Sequence, residues 1–367
     1  MRCARRRWLL GKLSVVLDFR AREQSRFWSL LELSDLELID AIGGRRRTNL
    51  HREYACWVPE PTQQKCDTAG VCRHQTTYPS SLRDDPLAPH SIDVRGGVAR
   101  LSAMLERKVV AIVGTSWASD YGMETARALA RGLAASGVTV ASGLAGGIPT
   151  AVHRGALEGH GATLTAIAGG LERCSPASCR ELYRGIIDTG CAISETPSSL
   201  PIRRWMQAAR ARTLALLSEL VIVVEASEQP WELACARAAQ AHGTPVAAVP
   251  GRVNSSASKG TNSLLMNGAQ MVRNPQDALD VLYGVGVHEL DAAVTSLELQ
   301  PRLRYVFERV GDGQDTLTRL TANGAEPGEI AVALAELELR GLLLRGDGGR
   351  YLPNAAPLTG NGVDLRH

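Results

Sequence analysis

Residues 109–116 of this 367-residue chain read VVAIVGTS, and they decide the fold class because five apolar residues run directly into a glycine. Such a run is typical of a strand that is buried on both faces. Residues 121–136 place alanine and leucine on one face and are followed by Gly137, which predicts a helix and its end. A buried strand that turns through a glycine into a helix indicates a parallel βαβ unit.

The same alternation continues outward from this unit to about residue 282. Further predicted strands lie at 138–141, 163–167, 192–193, 220–224 and 246–249. Nearly all of their residues are apolar, which predicts an α/β fold with an open, doubly wound and mostly parallel sheet. Ligands of such sheets bind beside the carboxyl ends of the strands, so functional residues are expected in the loops at those ends.

Those loops carry groups that bind phosphate, namely glycines that expose backbone N–H groups, hydroxyls, and cations near helix starts. The candidate anion-binding residues are Gly114, Thr115, Ser142, Gly143, Gly147, Arg203, Arg210, Arg212, Lys259, Gly260 and Asn262. Residues 203–212 contain four arginines and no acidic residue on a predicted helix, and such a face repels itself unless an anion binds there. A solvated charged face, a tight turn at Gly114 and a helix cap by Asn262 are the structural alternatives.

We predict no catalytic residue and no metal site. His153 is accompanied by no nucleophile or second base, so a packing or capping role is expected. Cys56, Cys66, Cys72 and His74 lack the C-x-x-C spacing that is typical of zinc sites. The eight cysteines show no paired spacing, which is typical of a reducing compartment rather than a disulfide framework.

Composition excludes several classes of protein. Lys and Arg number 41 against 38 Asp and Glu, so any contact with nucleic acid must come from local clusters and not from the net charge of +3. An aromatic content of 4% argues against a base-stacking OB-fold. No segment is apolar enough to span a membrane, and Lys12 interrupts the apolar run after the basic start. We expect a cytoplasmic protein with no membrane contact.

Changes in composition and in the pattern of apolar residues divide the chain into five regions. Residues 1–77 are expected to be irregular, with at most a remnant of a helical domain, and residues 78–283 form the α/β core. A linker is predicted at 284–300. The pattern of residues 301–353 predicts three helices followed by a hairpin that turns at glycines. This arrangement resembles a winged helix, which is an α+β domain. Residues 354–367 form a tail.

The loop residues also match a known family in order and spacing. The matching segments are Tyr78-Pro79, Val94-Arg95-Gly96, Gly114-Thr115, 142–148 with Ala151, His153 and 155–157, then 223–226, 248–251 and 260–269. This combination spans half of the chain and resembles the DprA/Smf family of DNA-processing proteins.

The resemblance implies an extended Rossmann-like core, similar to LOG-type nucleotide-binding folds, and no cofactor. It also implies a function, because family members bind single-stranded DNA in a basic pocket. They load a RecA-type recombinase onto strands coated by single-strand-binding protein, in natural transformation. Members form homodimers and are not known as enzymes.

The chain departs from the family pattern at several positions that are expected to contact phosphate. Ser116 stands where an arginine is usual, Gly146 where a basic residue is common, and Pro149 where an aspartate is usual. Residues 210–212 keep both arginines of an Arg-Asn-Arg segment, whereas residues 230–232 (PWE) replace Ser-Gly-Ser. Fewer phosphate contacts imply weaker DNA binding with a flatter salt dependence.

Two other functions are compatible with the pattern. The first is a LOG-like hydrolase of nucleotides, but the Pro-Gly-Gly-x-Gly-Thr loop of such enzymes has no counterpart, and the nearest segment, 168–171, lacks the Gly-Thr. The second is a family member that has lost DNA binding and keeps only its protein contacts.

Overall fold

A computed structural model of the chain describes residues 2–353 apart from 22–23, 59–67, 84, 173, 175, 197–199, 289–299, 312, 323 and 341. The strands are β1 (Thr68–Cys72), β2 (Ser91–Arg95), β3 (Val109–Val113), β4 (Thr139–Gly143), β5 (Thr163–Ala166), β6 (Cys191–Ser194), β7 (Leu220–Val223), β8 (Val246–Ala248), β9 (Gln270–Met271), β10 (Leu343–Arg345) and β11 (Tyr351–Pro353). The helices are α1 (Arg2–Lys12), α2 (Ser14–Arg20), α3 (Gln24–Glu32), α4 (Asp35–Ile42), α5 (Arg47–Cys56), α6 (Ser80–Arg83), α7 (Val98–Leu105), α8 (Asp120–Ala135), α9 (Ile148–Glu158), α10 (Arg180–Thr189), α11 (Arg204–Leu217), α12 (Ala234–Ala241), α13 (Lys259–Met266), α14 (Pro275–Tyr283), α15 (Pro301–Gly311), α16 (Leu317–Thr321) and α17 (Pro327–Leu339).

Nine strands form one sheet in the order β1-β2-β6-β5-β4-β3-β7-β8-β9. Every neighbouring pair from β6 to β9 is parallel, whereas β2 runs antiparallel to both β1 and β6. The chain leaves β3 toward β4 and later returns to the other side of β3 at β7. The loops after β3 and β7 thus flank the switch point at which doubly wound sheets bind ligands. The predicted mostly parallel α/β fold is confirmed.

Alternate residues of β3 face two separate cores, which explains why the whole strand is apolar. Val109, Ala111 and Val113 pack into the core on one face of the sheet. Val110 and Ile112 pack into the core on the other face, against residues of α8 and α9. Helices cover both faces, so no position in the strand can carry a polar side chain without burying it.

The N-terminal region differs from the expected irregular conformation, because residues 2–56 form the five helices α1 to α5. Leu9, Leu13 and Leu17 lie four residues apart and form one buried stripe that packs against Trp205 of α11. Arg6 of α1 is buried and donates to Leu31 O, to Leu33 O and to the Asp35 carboxylate. Its charge is satisfied inside the fold and does not mark an exposed, unfolded segment.

Residues 301–353 form the predicted three helices and hairpin, with β10 pairing antiparallel with β11. Leu303, Val306 and Leu334 belong to a core of their own. Most of the predicted linker and the whole predicted tail at 354–367 lie outside the described residues. None of the helices in the described part of the chain is long and apolar enough to cross a membrane.

Candidate functional site

A cleft of about 1230 Å³ lies beside the carboxyl ends of β3 and β4. Its walls are the loop after β3, the loop after β4, one side of α11, residues 230–235, and Ala21 from the end of α2. The cleft exceeds the ~300–1,000 Å³ that is typical of small-molecule sites. Among the predicted site residues, five line it, and these are Gly114, Thr115, Ser142, Gly143 and Arg210.

Arg204 and Arg210 both line this cleft; Arg204 is exposed, and Arg210 is the half-buried cation. Its guanidinium approaches Gly143 so closely that a Cβ added at Gly143 would lie 3.0 Å from Arg210 Nη1. The Arg210 side chain has no ion pair or hydrogen bond with another described residue, and its Nε atom is buried. Burial lowers the pKa of Arg210, because desolvation disfavours the charged form.

The neighbouring groups do not neutralise this charge. The Cys235 thiol also lines the cleft, and burial raises its pKa to about 12, so it stays protonated at neutral pH. The Glu232 carboxylate also lines the cleft, but it accepts from Thr115 Oγ1 and from Ser227 N and forms no ion pair with Arg210. A half-buried guanidinium with no ion-pair partner among the described residues is unfavourable unless an anion completes the site. The cleft can therefore bind a phosphate or another oxyanion at Arg210.

Arg212 does not share this cleft, which corrects the prediction that it binds phosphate beside Arg210. Two positions along a helix correspond to roughly 200° of rotation, so the two side chains leave α11 in opposite directions. The Arg212 guanidinium lies 2.5 Å from Glu195 Oε2, and 3% of its side chain is exposed. It also lies 5.4 Å from the ring centre of Trp28. Arg212 joins the core to the N-terminal helices instead.

Several other predicted phosphate ligands also lie away from the cleft. Lys259 is exposed at the start of α13, and Arg203 precedes α11, where Arg204 rather than Arg203 reaches the cleft wall. Asn262 braces a loop, because its Oδ1 accepts from Gly251 N and its Nδ2 donates to Gly251 O, both at 3.1 Å. This pairing gives Asn262 a structural role instead of the predicted phosphate contact, and it differs from the helix cap that was the structural alternative.

Close packing explains two of the predicted glycines. Gly147 has φ = +63°, and a Cβ there would lie 2.7 Å from the carbonyl oxygens of Thr115 and Ser116. A Cβ at Gly260 would lie 2.3 Å from Ser227 O. Both glycines are required by the approach of loop backbones, so they shape the site without contacting a ligand.

Two glutamates engage polar groups of the loop after β3 and of the start of α8, and sequence reasoning assigned neither of them this role. The Glu225 carboxylate follows β7 and accepts from Ser119 N at 2.8 Å and from Ser119 Oγ at 2.6 Å, at the start of α8. Thr115 Oγ1 donates to Glu232 at 3.1 Å, so its hydroxyl is already engaged. An acidic residue directly after β7, at the switch point, was the available signal. The positive end of α8 is neutralised by the chain itself.

His153 is fully buried and serves packing, as expected. Its Nε2 lies 2.9 Å from Gly143 O, and its Nδ1 lies 2.7 Å from Thr163 Oγ1. A carbonyl only accepts, so Nε2 carries the proton and Thr163 donates to Nδ1. Burial lowers the pKa of His153 to about 4. The neutral imidazole thereby holds the end of β4, which contributes Gly143 to the cleft.

Stability should fall in acid because of His153. Its pKa is about 4 in the folded state and about 6.5 in the unfolded state. Between these values only the unfolded chain takes up the proton, so this contribution is complete above pH 6.5 and is lost as the pH falls toward 4. We expect His153→Gln to remove about 2 kcal/mol of the difference in unfolding free energy between pH 7 and pH 5, measured by urea unfolding.

The exposed His160 provides the control for this prediction. His160→Asn should leave the pH dependence of the parent unchanged. His90, whose pKa burial also lowers to about 4, remains in every variant and contributes equally to each curve. Parallel curves for the parent and for His153→Gln would contradict the role assigned to His153.

Comparisons with known proteins agree with the fold. Residues 70–283 match the family described as DNA recombination-mediator protein A. A protein of Mycobacterium tuberculosis that carries the DprA name is 35% identical over 257 residues, which are 69% of this chain and 66%, just under two thirds, of that protein.

Two solved structures are similar over most of their own length. DNA processing protein A of Streptococcus pneumoniae has a TM-score of 0.60 and 26% identity, covering 73% of this chain and 92% of that one. The Helicobacter pylori protein of the same name is described by its single-stranded DNA binding mode. It has a TM-score of 0.51 and 27% identity, and the match covers 59% of this chain and 95% of that one.

Proposed function

Because the chain belongs to the family of DNA recombination-mediator protein A, we propose that it binds single-stranded DNA, protects incoming DNA and loads a RecA-type recombinase onto it. Its other partners are a single-strand-binding protein and a second copy of the chain, and it acts in the cytoplasm. Residues 78–283 form the DNA-binding core, and the linker 284–300 joins it to the winged-helix-like domain at 301–353.

The observation that carries this proposal is the Arg210 guanidinium in the cleft beside β3 and β4, which has no ion-pair partner among the described residues. A phosphate of the DNA backbone supplies the missing anion, and an arginine holds it by charge-assisted hydrogen bonds. Gly114, Ser142 and Gly143 line the same cleft. The absence of a side chain at Gly143 leaves room for the Arg210 guanidinium beside it.

Exposed tryptophans add a second mode of contact. Trp231 lines the cleft with 68% of its surface exposed, and Trp117, on the loop after β3, is 90% exposed. Exposed aromatic rings beside a cationic groove are the usual platform for unpaired bases, because every base has a face that can stack. Residues 230–232 thus replace the expected Ser-Gly-Ser segment with a stacking side chain.

No observation favours a hydrolase. The two glutamates that end core strands are both engaged, Glu195 by Arg212 and Thr213, and Glu225 by Ser119. A general acid or base needs a carboxyl group that can reach a substrate proton. We infer that the chain is a binding protein and not an enzyme.

The test is a salt titration of binding to fluorescent oligonucleotides, with single-stranded and duplex DNA in parallel. We expect a preference for the single strand and a linear fall of log K with log salt concentration. Equal affinity for the duplex, or no binding at low salt, would overturn the proposed DNA function.

Trp231→Ala should weaken single-strand binding about fivefold, equivalent to about 1 kcal/mol, because one stacked base loses its platform. The salt slope should stay unchanged, since the substitution removes no charge. Fluorescence anisotropy at two salt concentrations measures both quantities. A changed salt slope with unchanged affinity would contradict the stacking role of Trp231.

A further inference from the structure

Two thiols and an imidazole meet at the outer edge of the sheet, beside the edge strand β1. Cys3 is buried on α1, Cys72 ends the edge strand β1, and His74 is exposed in the turn that follows. His74 Nδ1 lies 3.3 Å from Cys3 Sγ and 3.7 Å from Cys72 Sγ. All three atoms lie within 4.8 Å of one another.

These distances fit the edges of a tetrahedral metal site. Zinc binds thiolate sulfur at about 2.3 Å and imidazole nitrogen at about 2.0–2.1 Å, so the N···S edge of a tetrahedron is about 3.5–3.6 Å. The two observed N···S distances, 3.3 and 3.7 Å, lie on either side of that value. Only small shifts of the three side chains would bring them to a common ion.

Contacts outside the cluster hold both cysteines in place. A turn fixes Cys72 relative to His74, because Cys72 N donates to Gln75 Oε1 at 2.7 Å and Gln75 N donates to Cys72 O at 2.9 Å. Cys3 is positioned through its helix, since Arg7 lies one turn further along α1. Arg7 pairs with the Asp93 carboxylate on β2 and donates to Thr196 O at 2.8 Å. The site is therefore preformed by the fold.

We propose that Cys3, Cys72 and His74 bind one divalent, thiophilic metal ion of the zinc class. Two thiolates and one imidazole are ligands that such ions prefer, and three protein ligands leave the fourth position for water. The ion joins α1 to the edge of the sheet and so fixes the N-terminal helices on the core. The sequence prediction of no metal site rested on the missing C-x-x-C spacing among Cys56, Cys66, Cys72 and His74, and the structure places Cys3 beside Cys72 and His74.

The test uses the full-length chain, reduced by a phosphine, freed of metal by a chelator and titrated with Co²⁺ without oxygen. We expect one equivalent of Co²⁺ to produce a thiolate-to-cobalt charge-transfer band and the visible bands of tetrahedral cobalt. Zn²⁺ should then displace it. Cys3→Ser, Cys72→Ser and His74→Ala should each weaken or abolish these bands, whereas Cys56→Ser, an exposed cysteine outside the cluster, should retain them.

His74→Ala keeps the interpretation clear if a cysteine variant fails to fold, because His74 is exposed and its loss removes no core contact. Circular dichroism checks the fold of each variant. Absence of cobalt bands in the reduced parent would overturn the proposal, as would bands that persist in the Cys3→Ser/Cys72→Ser double variant. A Cys3–Cys72 disulfide that forms in air, combined with no cobalt bands after reduction, would likewise overturn it.

Discussion

Arg210→Met should weaken single-stranded DNA binding by about 10- to 100-fold, because hydrogen bonds to a charged group contribute about 1.5–3 kcal/mol. The salt slope should fall by about 0.7 for the one phosphate contact that is lost. At the same time the variant should unfold at the same or a higher urea concentration than the parent. The guanidinium is desolvated with no ion-pair partner among the described residues, and methionine fills similar space without that cost.

Opposite changes in affinity and stability distinguish a ligand-binding cation from a structural one. Arg237→Met is the matched control, because Arg237 is exposed on α12 and does not line the cleft. It removes the same charge from the chain and should change binding little. If Arg210→Met bound DNA as the parent does, the cleft would not be the DNA site. If it lost stability instead, Arg210 would have a structural role.

Glu195→Ala should lower the unfolding free energy by about 3–5 kcal/mol, the usual cost of leaving one member of a buried ion pair alone. The Arg212 side chain is 3% exposed and that of Glu195 is 13% exposed, so little water can replace the lost carboxylate. Thr213 Oγ1 also loses its acceptor, which lies at 2.9 Å. Urea unfolding at neutral pH measures the change.

A double variant separates the buried charge from the lost contact. Arg212→Met added to Glu195→Ala should recover much of the stability, since no uncompensated charge remains. Glu53→Ala serves as the control, because Glu53 pairs with Lys12 where both side chains are about 40% exposed (39% and 40%). Solvent screens that pair, so its loss should have little effect. Equal effects of Glu195→Ala and Glu53→Ala would contradict the buried pairing.

The local pattern of apolar residues was sufficient to predict the core strands. The apolar runs and following glycines predicted β3 to β8 in their order along the chain, because burial on both faces of a sheet restricts every residue of a strand. The loops at the strand ends were equally predictable, since parallel strands bring their carboxyl ends to one edge. Five of the eleven predicted anion-binding residues, Gly114, Thr115, Ser142, Gly143 and Arg210, line the cleft for this reason.

The sequence by itself therefore determined strands β3 to β8, the family and the edge of the sheet at which to look for the site, whereas β1, β2 and β9 were not predicted. Only the tertiary structure decided that Arg210 faces the cleft while Arg212, two residues later, is paired with Glu195. Only the tertiary structure brought Cys3 to Cys72 and His74. The periodicity of apolar residues predicts which side of a helix or strand is buried. It does not predict which residues, distant in the chain, pack against that side. That choice depends on how helices separated by long stretches of chain pack together, because contacts of this kind form only in the folded molecule.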